Sequence, residues 1–288
     1  MSMRECLLIL CLLLFLPPVA VVRAGPPDII RFSPLPLLSE HEVREQFFNF
    51  CASLEKITHR HVEFSYRTDY EDILTALHRD ELDIAYLGPL PYVKIRELDN
   101  DIVPLVRFLD RRGESSYTCA LAAFAAAPPD LTMPGLNVAL TQPYSTCGYL
   151  MTEALLVDAG NSLEQMTYSY AGNHELAALA VIRGEALLAG VKTQVARNYS
   201  NLGLTVLRES EPLPGFLLVA NRRTLGDEWI EQLRRQLLEL GSTADKKGDI
   251  TMQTWGGLIR NGMIAAFDED YDAVRALLGQ YRVPEFAP

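Results

Sequence analysis

An α/β fold of two similar lobes joined by two crossover strands follows from three features of the sequence. Strand-like and helix-like segments alternate from end to end, the rhythm of parallel sheets covered by helices. The alternation restarts after a polar break at 111–116 (RRGESS). Two unusually apolar segments, 117–126 and 216–220, lie where a chain passing into a second lobe and back would cross. One large α/β domain is the alternative these features leave open. The chain has 288 residues, 49% of them hydrophobic, which is the length of roughly two domains at about 100–200 residues each.

The first 24 residues read differently from the rest. Arg4 precedes an unbroken apolar run at 6–16, Pro17-Pro18 breaks it, and Val22-Arg23-Ala24 ends on a small residue. This is the layout of a secretory signal peptide. The apolar run is too short for a bilayer, which takes about 20 residues. An uncleaved anchor extended through Val19–Val22 is the competing possibility, and the prolines oppose it. The mature chain then begins near Gly25, in an exported compartment most simply described as a bacterial periplasm. Lobe 1 comprises 25–116 and 220–288, and lobe 2 comprises 117–219.

Each element has its own signal. Residues 28–32 (DIIRF) read as the first strand. Residues 42–57 read as a helix with Ser39 as cap and Val43, Phe47, Phe50 and Leu54 on one face. Residues 61–66 alternate at period two, as a half-buried strand does. A short helix at 72–79, a strand at 82–87 stopped by Gly88-Pro89, and a strand at 102–107 follow. After Pro128-Pro129 come strands at 137–140, 167–170, 186–191 and 205–207, with helices at 148–159 and 175–183. The chain ends in helical stretches at 227–240, 251–260 and 268–278.

Charge and composition exclude several functions. Charged residues make up 22%, too few beside this apolar content for a disordered chain. The net charge of −11 becomes more negative once Arg4, Glu5 and Arg23 leave, and phosphate-backbone binding needs a basic footprint instead. No nucleic-acid partner is expected, and no metal or other cofactor. His59 and His61 have no third metal ligand nearby. The segment 241–248 (GSTADKKG) is not a phosphate-binding loop, and neither G-x-S-x-G nor H-E-x-x-H occurs.

Anions favour helix N-termini at the carboxyl ends of strands, where free N–H groups gather. Four such junctions are rich in donors. They are Arg67-Thr68-Asp69-Tyr70, Tyr86-Leu87-Gly88-Pro89, Tyr144-Ser145-Thr146-Cys147-Gly148 and Gly172-Asn173-His174-Glu175. Plain helix capping competes with a ligand role at the first of these, through Thr68 or Asp69, and at the third; at the second the competing reading is a tight turn with core tyrosines, and at the fourth a structural histidine. Cys147 with His174 also allows a thiolate nucleophile, although no orienting third residue stands out.

Taken together, these pieces resemble the phosphonate/phosphite-type periplasmic substrate-binding proteins of ABC transporters. The matching segments are Asp69-Tyr70, 82–89 (LDIAYLGP), 145–150 (STCGYL), 172–175 (GNHE), 209–214 (ESEPLP) and Asp270-Tyr271. The resemblance implies a class II periplasmic binding protein with two Rossmann-like lobes. Such a protein closes on a small oxyanion, performs no catalysis, acts as a monomer and hands its ligand to an ABC permease. By position it implies that Tyr70, Tyr86, Ser145, Thr146 and His174 hold the anion. Two departures stand out. Cys147 replaces the second serine of the family's Ser-Thr-Ser-Gly, and Lys192 stands where the family tends to carry an acid. Lys192 would favour a more fully ionised ligand. A thiol at Cys147, with Cys119 as second candidate, suits thiophilic species such as arsenite. That gives an alternative role, a sensor subunit presenting its ligand to a membrane histidine kinase.

Overall fold

The computed structural model describes residues 28–242 and 252–284. The expected signal peptide lies outside the described residues, as does most of 241–248. No helix among the described residues is long and apolar enough to cross a membrane.

The chain builds two sheets in turn. It opens with β1 (Ile29–Pro34), α1 (Glu40–Thr58), β2 (His61–Phe64), α2 (Tyr70–His78), β3 (Ile84–Leu87), α3 (Pro89–Leu98) and β4 (Ile102–Phe108). A two-residue strand, β5 (Ser116–Tyr117), leads into the second unit. That unit holds β6 (Cys119–Phe124), β7 (Asn137–Leu140), a π-helical turn (Thr146–Leu150), α4 (Met151–Val157), β8 (Thr167–Tyr170) and α5 (His174–Ile182). It finishes with β9 (Leu188–Lys192), α6 (Thr193–Asn198) and β10 (Leu204–Glu209). The chain returns through β11 (Leu213–Pro214) to β12 (Leu217–Asn221), α7 (Arg222–Leu225), α8 (Asp227–Ser242), β13 (Met263–Ala265) and α9 (Asp272–Gln280).

Ser39 starts α1 as a full capping box. Its side chain accepts from the Glu42 N–H, and the Glu42 carboxylate accepts from the Ser39 N–H at 3.1 Å. The buried face of α1 carries Val43, Phe47, Phe50 and Leu54, the stripe that its 3.6-residue period predicts. Phe47 and Phe50 meet Phe32 of β1 at ring distances of 5.5 and 5.4 Å, and Trp255 closes on Phe50 at 5.1 Å.

The six-stranded sheet has the order β13-β4-β12-β3-β1-β2, and the five-stranded sheet the order β10-β6-β9-β7-β8. The βα rhythm predicts parallel pairing, and β1, β2 and β3 obey it, as do β7, β8 and β9. Each sheet nonetheless contains one inserted antiparallel strand. β12 runs between β3 and β4, and β6 runs between β9 and β10. These are the two apolar segments expected as crossovers; both are buried in a sheet on two sides, which explains their unbroken apolar character. The crossing itself is made by β5 and β11, antiparallel with Tyr117 opposite Leu213.

Candidate functional site

A cleft lies where the loops of the two sheets face each other. Its outer part, about 490 Å³, is lined by Pro36, Thr68, Asp69, Tyr70 and Glu71 from one side and Gln142, Pro143, Tyr144 and Gly172 from the other. Its inner part is walled by Tyr70, Gly88, Tyr117, Ser145, Thr146, Cys147, His174, Lys192 and Phe216, among others. Tyr70 and Tyr144 line both parts.

At three junctions the competing roles of cap and ligand fall on neighbouring residues. Asp69 caps α2, accepting from the Asp72 N–H at 2.8 Å, and Tyr70, the next residue, lines the cleft. Asn173 caps α5, accepting from the Leu176 N–H at 2.8 Å, and His174 faces the inner pocket. Ser145 accepts from the Gly148 N–H at 3.3 Å, and Thr146 follows it. The fourth junction has no side-chain cap. Gly88 precedes Pro89 at the first turn of α3, where proline is pre-shaped for a helix and its missing N–H is no loss. The free Leu90 N–H of that turn donates to Thr146 Oγ1 at 3.1 Å, from one wall of the cleft to the other.

The loop before the π-helical turn is strained and crowded. Tyr144 has a φ of 66°, in the left-handed region that non-glycine residues rarely occupy and that concentrates at functional sites. Thr152 Oγ1 donates to the Cys147 carbonyl at 3.1 Å. Gly190 of β9 passes so close that a Cβ there would meet Thr152 Oγ1 at 1.8 Å and the Cys147 carbonyl oxygen at 3.1 Å.

The electrostatics favour a neutral hydrogen-bonding cradle with one cation. Burial, helped by Lys192, pushes the His174 imidazole down to about 3. Its Nδ1 accepts from the Lys192 N–H at 3.1 Å, so the neutral ring carries its proton on Nε2. Burial lowers the Lys192 ammonium to about 8, against the opposing pull of Glu175. Its Nζ lies over the Phe216 ring at 4.0 Å and the Tyr117 ring at 4.8 Å. Burial also raises the phenols of Tyr70, Tyr86 and Tyr117, so all three are donors at any ordinary pH. The Tyr117 hydroxyl is hydrogen-bonded to Thr146.

The residues expected from the sequence fall into three groups. Tyr70, Ser145, Thr146, His174 and Lys192 are brought together on the pocket walls. Tyr86 is not among the lining residues. Its ring belongs to the core, 5.1 Å from Phe47, 5.6 Å from Phe108 and stacked on Phe216 at 5.4 Å. Its phenol remains close to those of Tyr70 and Tyr117. Cys147 requires a correction. It lines the pocket, but its sulfur is bonded to Cys119 with the Cα atoms 5.2 Å apart. It is therefore no thiol ligand for arsenite, nor is Cys119, and the pairing of Cys147 with His174 has no nucleophile. Among the described residues the free cysteine is Cys51 in α1, whose thiol burial pushes up to about 12, an inert group. Sequence reasoning misses Tyr117 and Phe216. Both sit beside the short crossing strands, and the apolar segments there look like core strands rather than pocket walls.

Comparison with known proteins gives the same picture. A family model described as ABC transporter, phosphonate, periplasmic substrate-binding protein matches residues 32–271. The phosphate-import protein PhnD of Mycolicibacterium smegmatis is 24% identical, over 90% of this chain and 87% of its own. PhnD1 from Prochlorococcus marinus, solved in complex with methylphosphonate, superposes with a TM-score of 0.74 at 16% identity, covering 88% of this chain and 98% of that one. A binding-protein component of an ABC phosphonate transporter from Pseudomonas aeruginosa gives 0.69 at 21% identity, covering 88% and 86%. The fold is that of class II periplasmic binding proteins, and the chain belongs to the family of periplasmic substrate-binding proteins of phosphonate ABC transporters.

Proposed function

We propose that this protein captures a small phosphorus oxyanion, of the phosphonate, phosphite or phosphate type, between its two sheets and delivers it to an ABC permease. The observation that carries this reading is the convergence of Tyr70, Thr146 and His174, each one residue past a helix cap, on one pocket that also receives the N-terminus of α3. A tetrahedral oxyanion needs several short, charge-assisted donors in a dry site. Phenols, hydroxyls, an imidazole N–H, backbone N–H groups and one ammonium supply them here. The inner pocket has about 10 Å³ of free space, close to one water's worth. The ligand therefore enters when the walls part and is enclosed when they meet. The two lobes are the units carried by the two sheets, hinged at β5 and β11, and residues 1–24 are the cleaved export signal.

Isothermal titration and thermal shift of the mature chain, 25–288, test this with phosphate, phosphite and methylphosphonate, and with arsenite as the thiophilic control. One or more phosphorus oxyanions should bind saturably and without turnover. At a hundredfold excess over Kd the stabilisation is about 2.7 kcal/mol. Absence of binding by all three phosphorus oxyanions overturns the proposal.

A further inference from the structure

We infer that Lys192 sets the specificity of this cleft: its ammonium selects an oxyanion head that is fully ionised, and it rejects a ligand carrying a second ammonium beside that head. The inference rests on the proposed capture of a phosphorus oxyanion and names the class that this particular pocket takes.

Three observations place the charge. Lys192 ends β9, with its backbone N–H on His174 Nδ1 and its register partner Cys119 inside the disulfide. Its side chain is turned toward the crossing segments, over the faces of Phe216 and Tyr117. No carboxylate lines the inner pocket, and Lys192 makes no ion pair among the described residues. Asp69 and Glu71 line the outer cleft only. Glu175, the acid that acts on Lys192, does so through space.

Aromatic faces attract an ammonium weakly compared with the cost of removing it from water. A buried cation held only by such faces is one of the few arrangements that become favourable when an anion arrives. His174 contributes a donor but no charge, because its ring is neutral. Lys192 therefore supplies the one full positive charge on the inner wall. With no carboxylate beside it, the pocket has only hydroxyl oxygens, and no anion, to accept a proton left on the head or to pair a neighbouring ammonium. A ligand bearing either leaves an unpaired charge or donor in a dry site.

The test is isothermal titration at pH 7.5 and again at pH 8.5, where the alkylphosphonate head is largely doubly ionised as the aminomethylphosphonate head already is at 7.5, of the wild-type mature chain and of Lys192→Met, Lys192→Arg and Lys192→Glu, with ethylphosphonate and the near-isosteric aminomethylphosphonate. Inorganic phosphate and methylphosphonate serve as the check on binding itself. Wild type should prefer ethylphosphonate by about tenfold or more, the scale of one buried charge contact. Lys192→Arg should keep the preference, Lys192→Met should weaken ethylphosphonate binding by about tenfold or more, and Lys192→Glu should invert the order. Thermal melts confirm that each variant is folded. Equal affinities of wild type for the two phosphonates, or a Lys192→Met protein with the wild-type preference, would overturn the assignment while leaving oxyanion capture intact. Failure of wild type to bind any of the four would overturn the assignment, and failure with phosphite as well would overturn the capture reading.

Discussion

The Lys192 ammonium costs the fold stability until a ligand arrives, and this gives a pH signature. Its proton affinity falls from the free-lysine value of 10.5 to about 8, chiefly through burial. Between those values the unfolded chain binds more protons than the native one, so stability gains from this group as pH rises from 8 to 10.5. Below pH 8 the penalty is complete, roughly 1–3 kcal/mol, because each tenfold loss of proton affinity costs about 1.36 kcal/mol. Lys192→Met should raise Tm in oxyanion-free buffer at pH 7, with the two melting curves converging above pH 10; no gain at pH 7 refutes this. The groups facing the ammonium are Tyr117, His174 and Glu175, and neither the raised phenol nor the imidazole titrates in that window. His174 gives a second signature in acid. Its affinity is lowered from 6.5 to about 3, so the unfolded chain again binds more protons, and stability falls as pH drops from 6.5 toward 3. Urea midpoints across that range should fall less for His174→Gln than for wild type. At this scale the sequence shows the donors but not their division of labour. Asp69 and Asn173 are good caps by residue type, but which neighbouring side chain then turns into the cleft depends on where each helix starts against the other sheet.

The junction between the π-helical turn and β9 leaves no room for a side chain at Gly190. Gly190→Ala would drive a methyl group into Thr152 Oγ1 and the Cys147 carbonyl, an overpacking that costs about 1–3 kcal/mol or more. Chemical denaturation should show that loss, with partial recovery in Gly190→Ala combined with Thr152→Ala. The disulfide joins the same turn to β6 across 28 residues of sequence. Closing a loop of this length is worth about 3–4 kcal/mol in the chain-entropy account, so Cys119→Ser with Cys147→Ser should lower the unfolding free energy by that order. Thiol titration of the denatured mature chain should detect Cys51 alone, and the native chain should react slowly because that thiol is half-buried and holds its proton up to about pH 12. Most strands and helices are legible in the sequence because their periods differ. The exceptions have physical reasons. Gly88-Pro89 leaves a helix start and a tight turn both open, because proline suits either, and the structure takes the first: α3 spans Pro89–Leu98. Strand insertion is set by partners far away in sequence, so β6 and β12 look like any apolar segment. A π-helical turn has no local pattern of its own.

Viewed as a whole, the protein repeats one plan. In each sheet three parallel strands are followed by an inserted antiparallel strand and then a further one, to which the first sheet adds the antiparallel edge strand β13. The plan brings the carboxyl ends of both parallel sets to one cleft, where ligands of open α/β sheets bind. The Leu90 N–H and Thr146 Oγ1 contact joins the two walls. Thr146→Val should remove that acceptor and shift the protein toward open forms. X-ray scattering in oxyanion-free buffer should then give a larger radius of gyration than for wild type; equal radii would show that the bond does not hold the walls together. The short crossing strands have another consequence. The Gly215 N–H donates to the Ser115 carbonyl at 2.8 Å, and the backbone N–H of Ser210 donates to the Cys119 carbonyl, also at 2.8 Å. The entire second sheet therefore leaves and rejoins the first at points one hydrogen bond apart, as a hairpin loop does. Such close ends are what insertion and excision of whole units require: replacing 116–214 with a tight turn would interrupt the path of the first sheet no more than shortening a surface loop.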